Sequence, residues 1–595
     1  MNSPLVRLLA VALGLTVLLP GQKELADGPK LSPFRGMRAV EKGIEVQVAD
    51  DTWYALESVA GVDAGTLLRE AERLAGKNAW KRLTEDLPAL LAAMGHEVGE
   101  TVDLKVKDLA TKEIRELPAV KMTKENRRRL LQANRNAQAP VIEAAAVAAT
   151  LTAADARADL AELRRLLDEQ FAYRALRSVD LEKLMQAATE ALGSDPVEGA
   201  AFVRIVDRIL RAFGDGHTRV DGVPPVSDTF LPFLVQEVAG GHVAFLADRS
   251  GLVDAERPFL TAIDGVELGH WLAAAKARAT QGSPTMQARE AERLLRDLGD
   301  LRAELRVGAS EKVTVTVRGK SGTRDVTLAT TNRKPAYGTW PRTETRLLDG
   351  NLGYLRIAQM AGDAGFLDGL DASMQTFRAT KGLVIDVRGN GGGSRDALRR
   401  LAPYLLPENG APVVGNVAAI LLQKGAVAGP DALADRGLYQ ADWPGWTDAQ
   451  RTAITQFARG FKPSWKLPAG KFSPWHFLVL DKKDNEKAFA YDKKVLVLIG
   501  RGCFSATDVF AAALGALPNV KLVGEATSGG SGRAGGHRLP SSGVRLQLST
   551  MASFRPDGVL FEGNGVVPDV AVSAEPVDLV GGGDAVLQRA LELLR

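Results

Sequence analysis

The sequence predicts a multidomain protein of mixed class, an α/β core accompanied by α+β and helical parts. Three observations predict it. At 595 residues the chain exceeds one ordinary hydrophobic core, so two to four domains are expected. Between 350 and 580, short apolar runs alternate with helical patterns, the mark of a largely parallel sheet flanked by helices. Upstream, two segments run in the same order of strand, glycine turn, helix and hairpin, which reads as a degenerate internal repeat.

The chain opens with "MNSPLVRLLAVALGLTVLLP", one arginine followed by roughly a dozen apolar residues. That is short for a membrane span and right for the apolar part of a signal peptide, here taken as 1–22. No A-x-A cleavage site follows, so export to the periplasm or exterior is expected, with anchoring if the leader is retained. Residues 30–122 read as a small α+β domain, with "LESVAGVDAGTLLREAER" from Leu56 and the strand-like "TVDLKVKDL". Residues 123–156, rich in Ala, Asn and Gln, read as a linker. From 157 to 222 apolar residues recur at three and four, predicting a helical segment that ends in "FGDGHTRV". Residues 223–332 return to strands around helices, and "LTAIDGVELGHWLAAAKA" from Leu260 parallels the earlier stretch. The α/β core is placed at 340–580, interrupted by a Pro- and Trp-bearing excursion over 408–475.

Composition excludes several functions. Basic and acidic side chains number 75 and 72, for a net charge of +3, so there is no global basic field to hold nucleic acid. A single cysteine rules out a disulfide framework and a multi-thiolate site, and the six histidines lack zinc-motif spacing. Neither a metal nor a cofactor is expected.

Four short stretches could carry chemistry. In "RGCFSATD", Ser505 opens a helix after an apolar strand. S-x-x-D is a capping-box pattern, so plain N-capping is the ordinary role. A nucleophile would use the same place, because free N–H groups and the helix dipole there favour an oxyanion. Cys503 reads as a packed small hydrophobe. "GLVIDVRGNGGGSRDALRRL" puts Gly389, Gly391, Gly392 and Gly393 in a turn after a strand. Such a turn could supply half of an oxyanion hole, but it lacks the residues of a nucleotide loop. His217 lies in a tight turn, where a lone histidine is usually solvated. Glu562 lies between a strand and a Gly-Asn-Gly turn, where a glutamate is normally at the surface.

In this order, "GDGHT", "GYLRIAQM", "KGLVIDVRGNGGG", "CFSATDVFAAAL", "KLVGEATSGGSG" and "DGVLFEGNGVVPDV" resemble the tail-specific, or C-terminal-processing, serine protease family over roughly 157–580. The resemblance implies a core of the ClpP/crotonase kind and a PDZ-like domain at 223–332, with 30–122 as a second candidate. It places the nucleophile at Ser505. Many members pair that serine with a lysine after the "GEAT" strand, where this chain has Gly530, so a Ser–Lys dyad is excluded. The tricorn-like branch uses a turn histidine and a late glutamate, matched by His217 and Glu562. That branch has a serine directly before the histidine where this chain has Gly216, which leaves Glu562 and Asp215 both open as partners of the imidazole. The oxyanion donors implied are the amides of Ala506 and Gly392. A polypeptide substrate follows, bound by strand addition to the PDZ-like domain. The rival readings are a silent peptide- or ligand-binding protein on the same scaffold, and a nucleotide-binding α/β enzyme.

Overall fold

The computed structural model describes residues 31–595 apart from 41–42, 49–51, 76–78, 97, 110, 128, 131–146, 194 and 424. The leader 1–22 and most of the linker centre lie outside the described residues. The chain divides into two compact units, Met1–Ala145 and Ala146–Arg595.

In the first unit the strands Gly36–Val40, Gly43–Gln47, Tyr54–Val59, Thr101–Asp108 and Ile114–Lys121 form an antiparallel sheet in that order, with Val62–Asp63 paired on the third. Burial alternates along Thr101–Asp108, as a sheet with one covered face requires. Its inward residues Val102, Leu104 and Val106 share a core with Leu67, Leu83 and Leu90 from the helices.

The same arrangement recurs inside the second unit. Leu234–Val238, Gly241–Phe245, Phe259–Ile263, Lys312–Gly319 and Gly322–Ala329 pair in the same order, with Val266–Glu267 on the third strand. A register shift at Leu56/Ser58 has its counterpart at Leu260/Ala262. The turns Ala60–Gly61 and Asp264–Gly265 both take positive φ, and the N–H groups of Ala60 and Asp264 donate to the carbonyls of Asp103 and Thr314. Two-residue turns of this hand match the twist of a hairpin. The repeat read in the sequence is thus a repeat of backbone topology.

The core sheet runs Arg346–Leu348, Leu352–Arg356, Gly382–Asp386, Val495–Ile499, Val520–Gly524, Val570–Ala571, parallel throughout except for the first pair. Both faces are covered, which is why its strands read as unbroken apolar runs. Leu383, Ile385, Val495 and Val497 meet Met374, Leu401 and Phe510 on one face, while Val384, Leu496 and Leu498 meet Val586 and Ala590 on the other.

Three boundaries differ from the sequence reading. The helix Ala153–Gln170 starts inside the expected linker, because the Thr152 hydroxyl accepts from the Asp155 N–H and caps it. Residues 408–475 are not simply an excursion, since Val413–Ile420 lies in a second sheet between His476–Leu480 and Met551–Phe554. The core also extends past 580, because the helix Ala585–Leu594 supplies the Val586 and Ala590 that cover one face. Among the described residues no helix is long and apolar enough to cross a membrane.

Candidate active site

Gly382–Asp386 and Val495–Ile499 are neighbouring parallel strands, so the loops leaving their carboxyl ends meet. One loop carries Asn390–Gly393 and the other carries Arg501–Ser505. They touch through glycine. A Cβ on Gly502 would stand 2.7 Å from the Gly389 Cα, and one on Gly392 would stand 2.7 Å from both the Phe504 carbonyl and the Ser505 Cβ. Asn390, fully buried and singled out by nothing in the sequence except its place among glycines, ties the loops together. Its carbonyl accepts from the Phe504 N–H at 3.2 Å, its side-chain oxygen from the Thr507 hydroxyl at 2.9 Å, and its Nδ2 donates to the Ile357 carbonyl.

Ser505 does not cap its helix. It takes φ 61° and ψ −119°, and its side chain makes no cap hydrogen bond. A non-glycine residue in that region is strained, as at the strand-to-helix elbows that expose nucleophiles. The hydroxyl instead meets His217, with Oγ 2.9 Å from Nε2 across 288 positions of chain.

His217 is not a solvated turn residue. It is 9 % exposed and stacks on Phe504 with ring centroids 4.6 Å apart. Asp215 builds the turn by accepting from the His217 N–H at 3.0 Å and the Thr218 hydroxyl at 2.6 Å. Arg219–Val220 then pairs with the strand Arg545–Ser549. A side chain at Gly216 would meet Met286 Cε and Phe504 Cζ, each at 2.7 Å, so the serine expected from the resemblance has no room. Burial lowers the His217 pKa to about 4, although Asp215 pulls the other way, so the ring is a neutral base at pH 7.

Glu562 is buried, not at the surface. Neither of its oxygens has a hydrogen-bond partner among the described residues, and Arg177 Nη2 stands 4.0 Å away. Burial and the neighbouring Asp215 carboxyl push its pKa well above the usual carboxylate range. Nδ1 of His217 also lacks a hydrogen bond, and Asp215 Oδ1 lies 3.9 Å from it. The structure therefore brings Ser505 and His217 into contact and leaves Glu562 without a direct bond to the imidazole.

Of the two expected oxyanion donors, Ala506 opens the helix Ala506–Gly515, where N–H groups have no intrahelical partner. The Gly392 N–H is already engaged, donating to Asn390 Oδ1 at 2.9 Å. Gly392 acts through its missing side chain. Gly530 lies against the same site, where a Cβ would come within 2.5 Å of Phe504 and 3.1 Å of Glu562 Oε2, leaving no space for a lysine.

Cys503 is fully buried, its thiol donates to the Val387 carbonyl, and burial pushes its pKa up to about 12. It is no nucleophile. Asp508, read in the sequence only as the last member of the capping-box pattern, accepts from the Thr527 hydroxyl, which in turn accepts from the Val566 N–H. That chain fastens the helix Ala506–Gly515 to the turn after Glu562. Burial raises the Asp508 pKa to about 7. Glu237, His242 and Glu292 are spaced as metal ligands are, but the Arg501 guanidinium already stands 2.9 Å from Glu292 and 3.5 Å from Glu237.

Residues 351–572 match the model of Peptidase family S41. The segment includes Ser505 and Glu562, and His217 lies before it. Among solved structures, mature CPAF complexed with lactacystin is 18% identical, with 74% of this chain and 98% of that chain covered and a TM-score of 0.51. A CPAF serine-to-alanine mutant is 17% identical over the same shares, with a TM-score of 0.54. At these identities the likeness is one of fold, and it covers about three quarters of this chain. Together with the family match, it identifies the chain as a serine peptidase carrying an S41 domain over residues 351–572.

Proposed function

We propose that this chain is an endopeptidase of exported polypeptides in which Ser505 is the nucleophile and His217 its general base. The observation that carries the reading is the 2.9 Å separation of Oγ and Nε2, together with the strained backbone that presents the hydroxyl. Nε2 takes the Ser505 proton as Oγ attacks the scissile carbonyl, and then returns it to the leaving amine. The oxyanion forms beside the Ala506 N–H, where one preorganised donor is worth about 3 kcal/mol of transition-state stabilisation.

Asp215 is the carboxylate best placed to hold the imidazolium. It already fixes the turn, and closing its 3.9 Å gap to Nδ1 needs a movement of only about 1 Å, a tightening common between free enzyme and complex. Glu562 contributes as a buried acid beside Asp215. We read 223–332 as the PDZ-like unit that presents the substrate chain. It abuts the site, since the Ser283 hydroxyl donates to the Ser528 carbonyl and the Gln281 N–H to the Arg211 carbonyl.

The test is labelling of the full chain with a fluorophosphonate probe. Wild type should label and Ser505→Ala should not. Labelling of both, or of neither, refutes the assignment. Lactacystin, with which one fold neighbour is complexed, is a second probe for the same serine.

A further inference from the structure

A cavity of about 520 Å³ lies between the second α+β unit and the core sheet, lined from the helix Pro284–Leu294, the stretch 337–346, and the strand ends at Ile499 and Glu525. Its wall is rich in arginine. Arg388 is balanced by Asp386 and Asp584, each at 2.7 Å, and Arg501 by Glu292 at 2.9 Å. Five others are not balanced: among the described residues no carboxylate oxygen within 4.0 Å pairs with Arg249, Arg289, Arg293, Arg342 or Arg346.

Contacts that leave the charge intact hold two of these side chains in place. Arg249 donates to the carbonyls of Leu579 and Tyr337, and its guanidinium lies 4.9 and 4.5 Å from the ring centroids of Phe245 and Trp340. Arg293 sits 4.7 Å from the centre of the Tyr337 ring. Carbonyls and ring faces orient a guanidinium without neutralising it. The lining acids do not make up the deficit: Glu292 and Asp584 are committed to Arg501 and Arg388, and Glu525 and Asp578, with no guanidinium within 4.0 Å, are two carboxyls against five unpaired arginines. Burial and the neighbouring arginines accordingly lower both Arg249 and Arg289 to about 10.

A protein that gathers mutually repelling, partly desolvated guanidinium groups around a cavity of ligand size has built a place for negative charge. We propose that this cavity binds a small, multiply charged anion whose oxygens engage Arg249, Arg289, Arg293 and Arg342 in fork geometry. Phosphoanhydrides and polycarboxylates share that chemistry. Ser505 and His217 do not line the cavity, although Gly389, Arg501 and Gly502 from the two loops beside Ser505 do, and the proposal does not depend on the catalytic assignment.

Calorimetric titration of the full chain with pyrophosphate, and separately with citrate, at constant ionic strength tests this. One saturable site for at least one anion is expected, and the tighter of the two identifies the source of the charge. Arg289→Gln and Arg342→Gln should each weaken binding at least about tenfold, the share of one charge-assisted pair. Arg589→Gln, on the exposed face of the last helix, should leave it within about twofold. No saturable heat with either anion overturns the proposal, as does equal weakening by Arg589→Gln. Without ligand, Arg289→Gln should melt no lower than wild type, because it removes repulsion. A lower melting temperature would mark Arg289 as a structural strut and overturn the proposal too. Arg342, which is exposed, supplies the same binding test if Arg289→Gln fails to fold.

Discussion

Gly392 packs against Ser505 so closely that a methyl group on the glycine would lie 2.7 Å from the serine Cβ. Its φ of 105° adds backbone strain to any replacement. Gly392→Ala should therefore displace the nucleophile and lower kcat/KM by about 10²-fold or more, a loss of the size that follows misplacement of a reacting group by about 1 Å. Steady-state assays on a peptide substrate check this. Retention of more than half the wild-type rate would mean that the two loops separate freely.

With His217 as the proposed base, its depressed pKa should set the acid limb of the rate profile. The ring stays unprotonated down to about pH 4, so kcat/KM should hold through pH 6.5, where an ordinary histidine would already be half protonated. A limb near 6.5 would place the imidazole in water. His217→Ala should abolish hydrolysis. It should also cost about 1–2 kcal/mol of stability, because the ring is buried and stacked on Phe504.

Glu562→Gln separates a charged role from a neutral one. Burial and the neighbouring Asp215 carboxyl push its pKa well up and so favour the protonated form, of which glutamine is a near-isostere. The rate should fall by less than about tenfold, far less than the loss on removing the general base. Asp215→Asn should do more damage, since Asp215 holds both the His217 N–H and the Thr218 hydroxyl. Equal losses for Glu562→Gln and His217→Ala would show that an ionised Glu562 is indispensable.

Asp508 makes stability depend on pH with a definite sign. Its folded pKa of about 7 lies above the unfolded value of 3.8, so the native state binds the extra proton between those limits. The contribution is fully present below about pH 4 and is lost as pH rises through 7. Asp508→Asn should flatten this slope, so urea midpoints of mutant and wild type should move closer together, or cross in the mutant's favour, from pH 5 to pH 8. Each tenfold difference in proton affinity between the folded and unfolded chain is worth about 1.4 kcal/mol, which such midpoints resolve. An unchanged difference between the two pH values would place Asp508 in a solvated setting.

Much of the fold was legible because period and punctuation agreed. The buried strands at Gly382 and Val495 were continuous apolar runs, and both repeats carried a glycine turn before a helix. Other features were hidden for physical reasons. Val413–Ile420 is a strand because of partners at His476 and Met551, which local pattern does not reveal. Ser505 had the spacing of a cap, and only its φ and its distant partner at His217 distinguish it from one. The amide of Gly392 looked like a free donor, yet Asn390, two residues earlier, had claimed it. Glu562 and Asp215 come from remote parts of the chain, so the effect of the Asp215 carboxyl on Glu562 had no local signature.

The helical segment before His217 shares one continuous interior with the late strands. Phe202, Val206 and Leu210 are buried together with Leu546, Leu548 and Phe554. The portion bearing the family signature, if excised at residue 351, would keep Ser505, the proposed nucleophile, while exposing that greasy seam and losing His217, its proposed base. On that assignment the smallest piece able to cut a peptide is considerably wider than the stretch by which the peptidase is recognised.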